Sequence, residues 1–184
     1  MSHFTFPSDF RAIYDHALAA YVAGTRDAAM LFNTSQTAWL AANGLSAQAL
    51  YDYAEDEHGR GLPGFGHALT IETVRRDYFL SAQGGRASSA VADPDRWPGK
   101  TEAIQGITWL PRILPKTRAK LRGELPASLM YCCGGDRTFF MTHAILPAEF
   151  LSLVWRHEHD DAAIIAWTVA RSSQTTERAQ GKKL

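Results

Sequence analysis

Cys133, Gly134, Gly135 and Asp136 are the densest concentration of reactive groups in the chain, and a cationic run lies just upstream. Two glycines after a thiol let another group approach closely, and a thiol at a helix start has its ionisation eased by the helix N-terminus. Cys133 therefore reads as a candidate nucleophile, with Asp136 beside the reacting group and Tyr131 or His143 as the group that moves a proton. Arg112, Lys116 and Lys120 recur at i, i+4 and i+8, one stripe of a helix, with Arg118 and Arg122 beside it. Such a stripe can hold a carboxylate or phosphate, Arg112 offering a two-pronged fork and Lys116 a point charge. Arg76 is the candidate to join Arg112 around the anion, and Trp109 the candidate to line the site. Each feature also has a plainer reading. The stripe can be a solvated face, the cysteines small buried hydrophobes, Asp136 a helix cap, Trp109 core, and Arg75-Arg76 a structural ion pair.

Two further clusters look metal-like. Glu55-x-x-His58 has the spacing used in di-iron bundles, but such a site needs two of these motifs and the chain carries one. His157-Glu158-His159-Asp160-Asp161 reads better as a polar turn between helices, where Asp and His suit the helix ends. No metal ligand set and no cofactor is assigned.

The elements that must position these groups follow from periodicity. Phe10, Ile13, Tyr14, Ala17, Leu18 and Tyr21 mark one face of a helix that Ser8 or Asp9 can cap and Gly24 stops. Thr34 or Ser35 caps a helix ending at Asn43-Gly44, and Ser46 opens another that faces Leu50, Tyr51 and Ala54 inward. From about His67 a helix carries Ile71, Val74, Tyr78 and Phe79 on one side, and Arg75, Arg76 and Asp77 on the other. Pro111 suits the first turn of a helix to Arg122, which is kinked at Pro115 or begins there. Leu129 to Cys133 reads as a short strand or extended segment. Asp136 caps a helix through Phe140, Pro147 opens the next, and Asp160 or Asp161 caps the last, to Arg171.

Trp39-Leu40 followed by Gly44 to Leu50 parallels Phe140-Met141 followed by Ile145 to Leu151, so two related helical hairpins are expected. The expected fold is mainly α, a compact helical protein of two related helical halves, with at most one small strand pair near Leu129-Cys133. Residues 1–84 form the N-terminal half, 85–101 a linker, 102–172 the C-terminal half and 173–184 a disordered tail.

Lys+Arg and Asp+Glu both number 19, so charge gives no reason to expect nucleic acid, and no interleaved exposed aromatics suggest it either. No apolar run is long enough to span a bilayer, and MSHFTFPSDF lacks the pattern of a secretory signal. The only cysteines are neighbours, so free thiols and a cytoplasmic setting are expected. Homo-oligomerisation is left open.

Gly106-x-x-Trp109-Leu110-Pro111-Arg112 with Lys116 and Arg118, then Tyr131-x-Cys133-x-x-Asp136 and Glu149-Phe150-Leu151, resembles a bacterial family catalogued as domain of unknown function 5069. The resemblance covers Gly106 to Arg171, with the first half as a helical extension. The chain departs from the family pattern at Pro115 and Cys132. The resemblance implies a fold and a set of positions but no reaction.

The leading expectation is a protein that binds, and is open to acting on, a small anionic metabolite in a cleft between its two halves. One alternative is a non-catalytic helical interaction module, with the basic stripe and the acidic Asp52 to Glu57 run as docking faces. A metal-dependent enzyme using His58 or His157/His159 is a weaker one.

Overall fold

In the computed structural model, which describes residues 3–181, eight α-helices and one two-stranded hairpin are formed, and the chain divides into two units, Met1–Ser88 and Ser89–Leu184. The first unit holds α1 (Phe6–Val22), α2 (Thr34–Ala42), α3 (Ala47–Arg60) and α4 (Phe65–Ser81). Its core is the apolar stripe of α1, where Phe10, Ile13, Tyr14, Ala17 and Tyr21 are buried against α3 and α4. Each large side chain buried in this way contributes roughly 1.5–3 kcal/mol. The helix starts earlier than its cap residues suggest: Pro7 occupies the first turn, and Ser8 Oγ donates to the Thr5 carbonyl instead of capping.

The cap of α2 is Asn33, not Thr34 or Ser35. Its side chain accepts the Gln36 N–H while Gln36 Oε1 accepts the Asn33 N–H. Ser46 caps α3 as expected, accepting from the Ala49 N–H at 3.1 Å. Between these helices Gly44 has φ +68°, and a Cβ there would lie 2.3 Å from Phe79 on α4. Glycine is therefore required twice over, by backbone conformation and by close packing.

Arg75 and Arg76 are the main surprise in this unit, since both are only 3% exposed instead of lying on an outer face. Arg76 Nε donates to Asn43 Oδ1 at 2.6 Å and its guanidinium lies 4.7 Å from the Phe6 ring centre. Arg75 reaches Gln83 Oε1 at 2.9 Å and packs over Phe79. Helical periodicity marks polar residues as outward, but a guanidinium can be buried when amide oxygens and aromatic faces receive it.

In the second unit the chain forms β1 (Ala103–Ile104), β2 (Ile107–Thr108), α5 (Leu110–Arg122), α6 (Gly134–Thr142), α7 (Pro147–Arg156) and α8 (Asp161–Gly181). The strand pair does not involve Leu129-Cys133. It is an antiparallel hairpin with Ala103 opposite Thr108 and Ile104 opposite Ile107. Gln105 and Gly106, both with positive φ, make its two-residue turn, whose twist matches that of the strands. At the other position Cys132 has φ +70°, which interrupts any strand.

Pro115 does not begin α5, which runs from Leu110 through it. Proline there removes one intrahelical bond, and burial of Leu110, Ile113, Leu114 and Leu121 against α7 outweighs that loss. Phe139, Phe140 and Phe150 form an edge-to-face cluster with ring centres 5.5–5.9 Å apart. Most of the stretch read as a linker packs on this unit. The Ala92 N–H donates to the Glu124 carbonyl, Asp93 caps a short turn at Pro94–Arg96, and Trp97 lies under Arg112.

The last helix, capped by Asp160 through the Ala163 N–H at 2.9 Å, continues to Gly181 instead of ending at Arg171. The tail expected to be disordered is thus helical through 181, and residues 182–184 lie outside the described residues. No Gly or Pro interrupts the chain from Ser172 to Gln180, and extending an existing helix needs no new nucleus. No single helix among the described residues is long and apolar enough to cross a membrane.

Candidate functional site

Asp136 is the hub of the polar cluster in the second unit. It lies in the first turn of α6 and is fully buried, at 0% exposure. Its Oδ1 accepts from Trp109 Nε1 at 3.0 Å. Its Oδ2 accepts from Lys116 Nζ at 2.6 Å and from the Cys132 N–H at 2.9 Å. Lys116 is itself buried, and the same ammonium donates to Cys133 Sγ at 3.3 Å. The spacing that put Lys116 one turn beyond Arg112 therefore delivers it to the start of α6.

Two unusual backbone conformations build this arrangement. Trp109 is the N-cap of α5 with φ +73°, and Cys132 precedes α6 with φ +70°. Left-handed conformations in residues with a Cβ cost on the order of 1 kcal/mol or more each. Surrounding bonds hold both. The Trp109 N–H donates to the Glu102 carbonyl at 3.1 Å, and Arg137 Nη1 donates to the Cys132 carbonyl at 2.8 Å. The indole of Trp109 then lies on Gly135, where a Cβ would meet ring carbons at 2.7 Å.

The two adjacent thiols have opposite environments. Cys132 is 1% exposed, and burial followed by the charge of Asp136 pushes its thiol up to about 12. It is chemically quiet at neutral pH. Cys133 is half-buried, serves as the N-cap of α6, and provides no side-chain cap to that helix. Sulfur is a weak acceptor, so the first-turn N–H groups of α6, which have no intrahelical partner, are not closed off by a side chain.

The remaining candidates are spread over the unit. Tyr131 is 2% exposed, its hydroxyl donates to the Pro147 carbonyl at 2.9 Å, and burial holds its pKa well above 10. It is a packing residue and not placed to move a proton at neutral pH. His143 forms the C-cap of α6 and contacts Ser172 Oγ at 2.9 Å. It sits at the opposite end of α6 from Cys133, roughly 15 Å along the axis, so it cannot serve as the base for that thiol. Arg112 Nη1 donates to the Pro98 carbonyl at 2.9 Å, with its guanidinium 5.7 Å from the Trp97 ring centre. Arg76 is committed within the first unit, to Asn43 and His3.

The basic stripe is not a solvated face. Lys116 and Lys120 are buried, Arg118 pairs with Asp161, and Arg122 Nη2 reaches Glu158 Oε1 at 2.8 Å. These pairs fasten α5 to the polar turn before α8, which is how Glu158 and Asp161 are used. In the first unit Glu55 accepts from the Tyr21 hydroxyl at 3.2 Å while the His58 ring packs against Tyr21. Sequence reasoning missed two supports, the Cys132 backbone N–H and the Arg137 guanidinium. Neither carries a spacing signal, because both depend on the left-handed turn at Cys132.

No match to the chain is found among curated proteins or among solved structures. Residues 99–182, the span that contains Trp109, Lys116, Cys133 and Asp136, match the family model of the domain of unknown function DUF5069.

Proposed function

We propose that the second unit binds a small anionic molecule, a carboxylate or a phosphate, at the N-terminal end of α6, with the half-buried Cys133 as a contact. The observation that carries this reading is the Lys116 ammonium, shared between Asp136 Oδ2 at 2.6 Å and Cys133 Sγ at 3.3 Å. An ammonium has three donors, and these two contacts leave one for a ligand. Gly134 and Gly135 follow at once, and a helix start without a side-chain cap is a ready place for negative charge. Asp136 acts as the group that aims Lys116, while the indole of Trp109 holds Asp136 in turn. A cytoplasmic setting would keep Cys133 reduced and available. The docking-module alternative loses its motive, because the basic stripe of α5 is spent on burial and on internal ion pairs.

The test uses the full chain with inorganic phosphate and a panel of small carboxylates, at ionic strength matched with sodium chloride. A bound anion should raise the melting temperature by mass action and slow iodoacetamide alkylation of Cys133 in a saturable way. If every anion leaves both the melting temperature and the alkylation rate at the chloride value, the proposal fails.

A further inference from the structure

We infer that the first unit is a diverged second copy of the four-helix unit that residues 99–182 carry, and that the Lys-Cys-Asp set is built in only one of the two copies. The observation is a register that runs far beyond the short hairpin repeat. Position for position, α1 to the start of α3 is answered by the residue numbered one hundred higher. Val22 and Arg122 end α1 and α5, Thr34–Ala42 matches Gly134–Thr142, and Ala47 and Pro147 open α3 and α7. Many buried apolar positions follow the same rule, Ile13 with Ile113, Tyr21 with Leu121, Leu40 with Phe140 and Leu50 with Phe150, whereas His16 is exposed where Lys116 is buried.

The turn between the second and third helices is the same in detail. The Leu45 N–H donates to the Leu40 carbonyl, and the Ile145 N–H to the Phe140 carbonyl, both at 2.9 Å. Gly44 and Ala144 both have positive φ. α3 has 14 residues against 10 in α7, about one extra helical turn, and beyond it the register continues with that difference removed. Ala68 then answers Ile164, both buried. Arg76 answers Ser172, and the Arg76 bond to Asn43 at 2.6 Å stands where Ser172 meets His143 at 2.9 Å. A chance likeness of two hairpins would not carry a tertiary side-chain contact with it.

Under this pairing the first unit carries His16, Asn33 and Gln36 where the second carries Lys116, Cys133 and Asp136. His16 contacts the Leu31 carbonyl at 2.8 Å and its ring lies 5.8 Å from that of Phe32, just before the start of α2, as Lys116 lies at the start of α6. The chemistry there differs. Asn33 and Gln36 close two of the first-turn donors of α2 with a reciprocal side-chain cap. The start of one helix carries a side-chain cap and the start of the other, α6, does not.

The pairing predicts that position 36, or position 33, faces His16, which can be tested without reference to any natural ligand. Gln36→His and, separately, Asn33→His would each be made in the full chain and melted with zinc chloride and then with excess chelator. At least one variant should gain a zinc-dependent rise in melting temperature that the unsubstituted chain lacks and the chelator reverses. If both variants are folded by circular dichroism and neither gains that rise, His16 does not stand to α2 as Lys116 stands to α6, and the inference is overturned. If one variant does not fold, the other decides alone. Failure of anion binding at α6 would leave this result untouched, so the two readings fail separately.

Discussion

Removing the carboxylate of Asp136 should be the most costly single change in the second unit. Its side chain is fully buried, and that of Lys116 is 4% exposed. Asp136→Ala leaves an ammonium in the interior with a thiol at 3.3 Å as its remaining partner among the described residues. Breaking a buried pair from one side costs about 3–5 kcal/mol, because the surviving charge keeps its desolvation penalty and loses its compensation. In a chain of this size that is a fall in melting temperature on the order of 10 °C. Removing both charges should be far gentler. Lys116→Met with Asp136→Leu removes both charges of this pair, and only the Trp109 and Cys132 N–H groups lose an acceptor. Those losses are about 1–3 kcal/mol for a buried neutral donor, and less for the half-buried indole. Urea denaturation of the wild type, Lys116→Met, Asp136→Leu and the double variant gives the coupling, expected at about 1–3 kcal/mol in favour of the double. An Asp136→Ala loss below about 1 kcal/mol, or strictly additive single losses, would refute the buried-pair account.

Three other outcomes follow from the same geometry. Gly135→Ala should cost about 1–3 kcal/mol and perturb tryptophan near-ultraviolet dichroism, since the new methyl must displace the Trp109 indole; an unchanged spectrum and urea midpoint would contradict that contact. In the native chain at about pH 8, iodoacetamide should label Cys133 and spare Cys132, whose thiol is buried and pushed up to about 12; peptide mapping that finds equal labelling would overturn the distinction. His143 is held neutral by burial, its pKa lowered below 6.5, so the unfolded chain takes up the proton first as pH falls. Its contribution is complete above about pH 6.5 and is lost as pH drops towards the depressed folded value. His143→Asn should flatten that part of the stability profile, and an unchanged slope there would show that other groups cause it.

The helices were legible because their apolar residues recur at helical spacing, and α1, α3, α5 and α7 bury most of the residues that periodicity marks; Leu18 and Tyr51 are only half-buried, and Tyr53 takes the inward place on α3. The hairpin repeat was legible too, since Asn43-Gly44 and the helix starts at Ser46 and Pro147 are local signals. Co-location of Lys116, Cys133 and Asp136 was expected from nearness along the chain, and they do meet. Arg112, Tyr131 and His143 do not join them, for reasons invisible in spacing. Arg112 is claimed by the Pro98 carbonyl, Tyr131 by the Pro147 carbonyl, and His143 is a helix length away from the thiol.

Burial of the charged groups was decided only in three dimensions. Lys116, Lys120, Arg75 and Arg76 read as outward from their helix faces, yet all four are buried. Sequence fixes which face of its own helix a residue occupies, a local property of the 3.6-residue repeat. Whether another element covers that face, and whether it brings a carboxylate, an amide oxygen or an aromatic ring to receive the charge, depends on segments distant in the chain. The left-handed turns at Trp109 and Cys132 were also hidden, because neither residue type favours that conformation and it is the folded contacts to Glu102 and Arg137 that hold them.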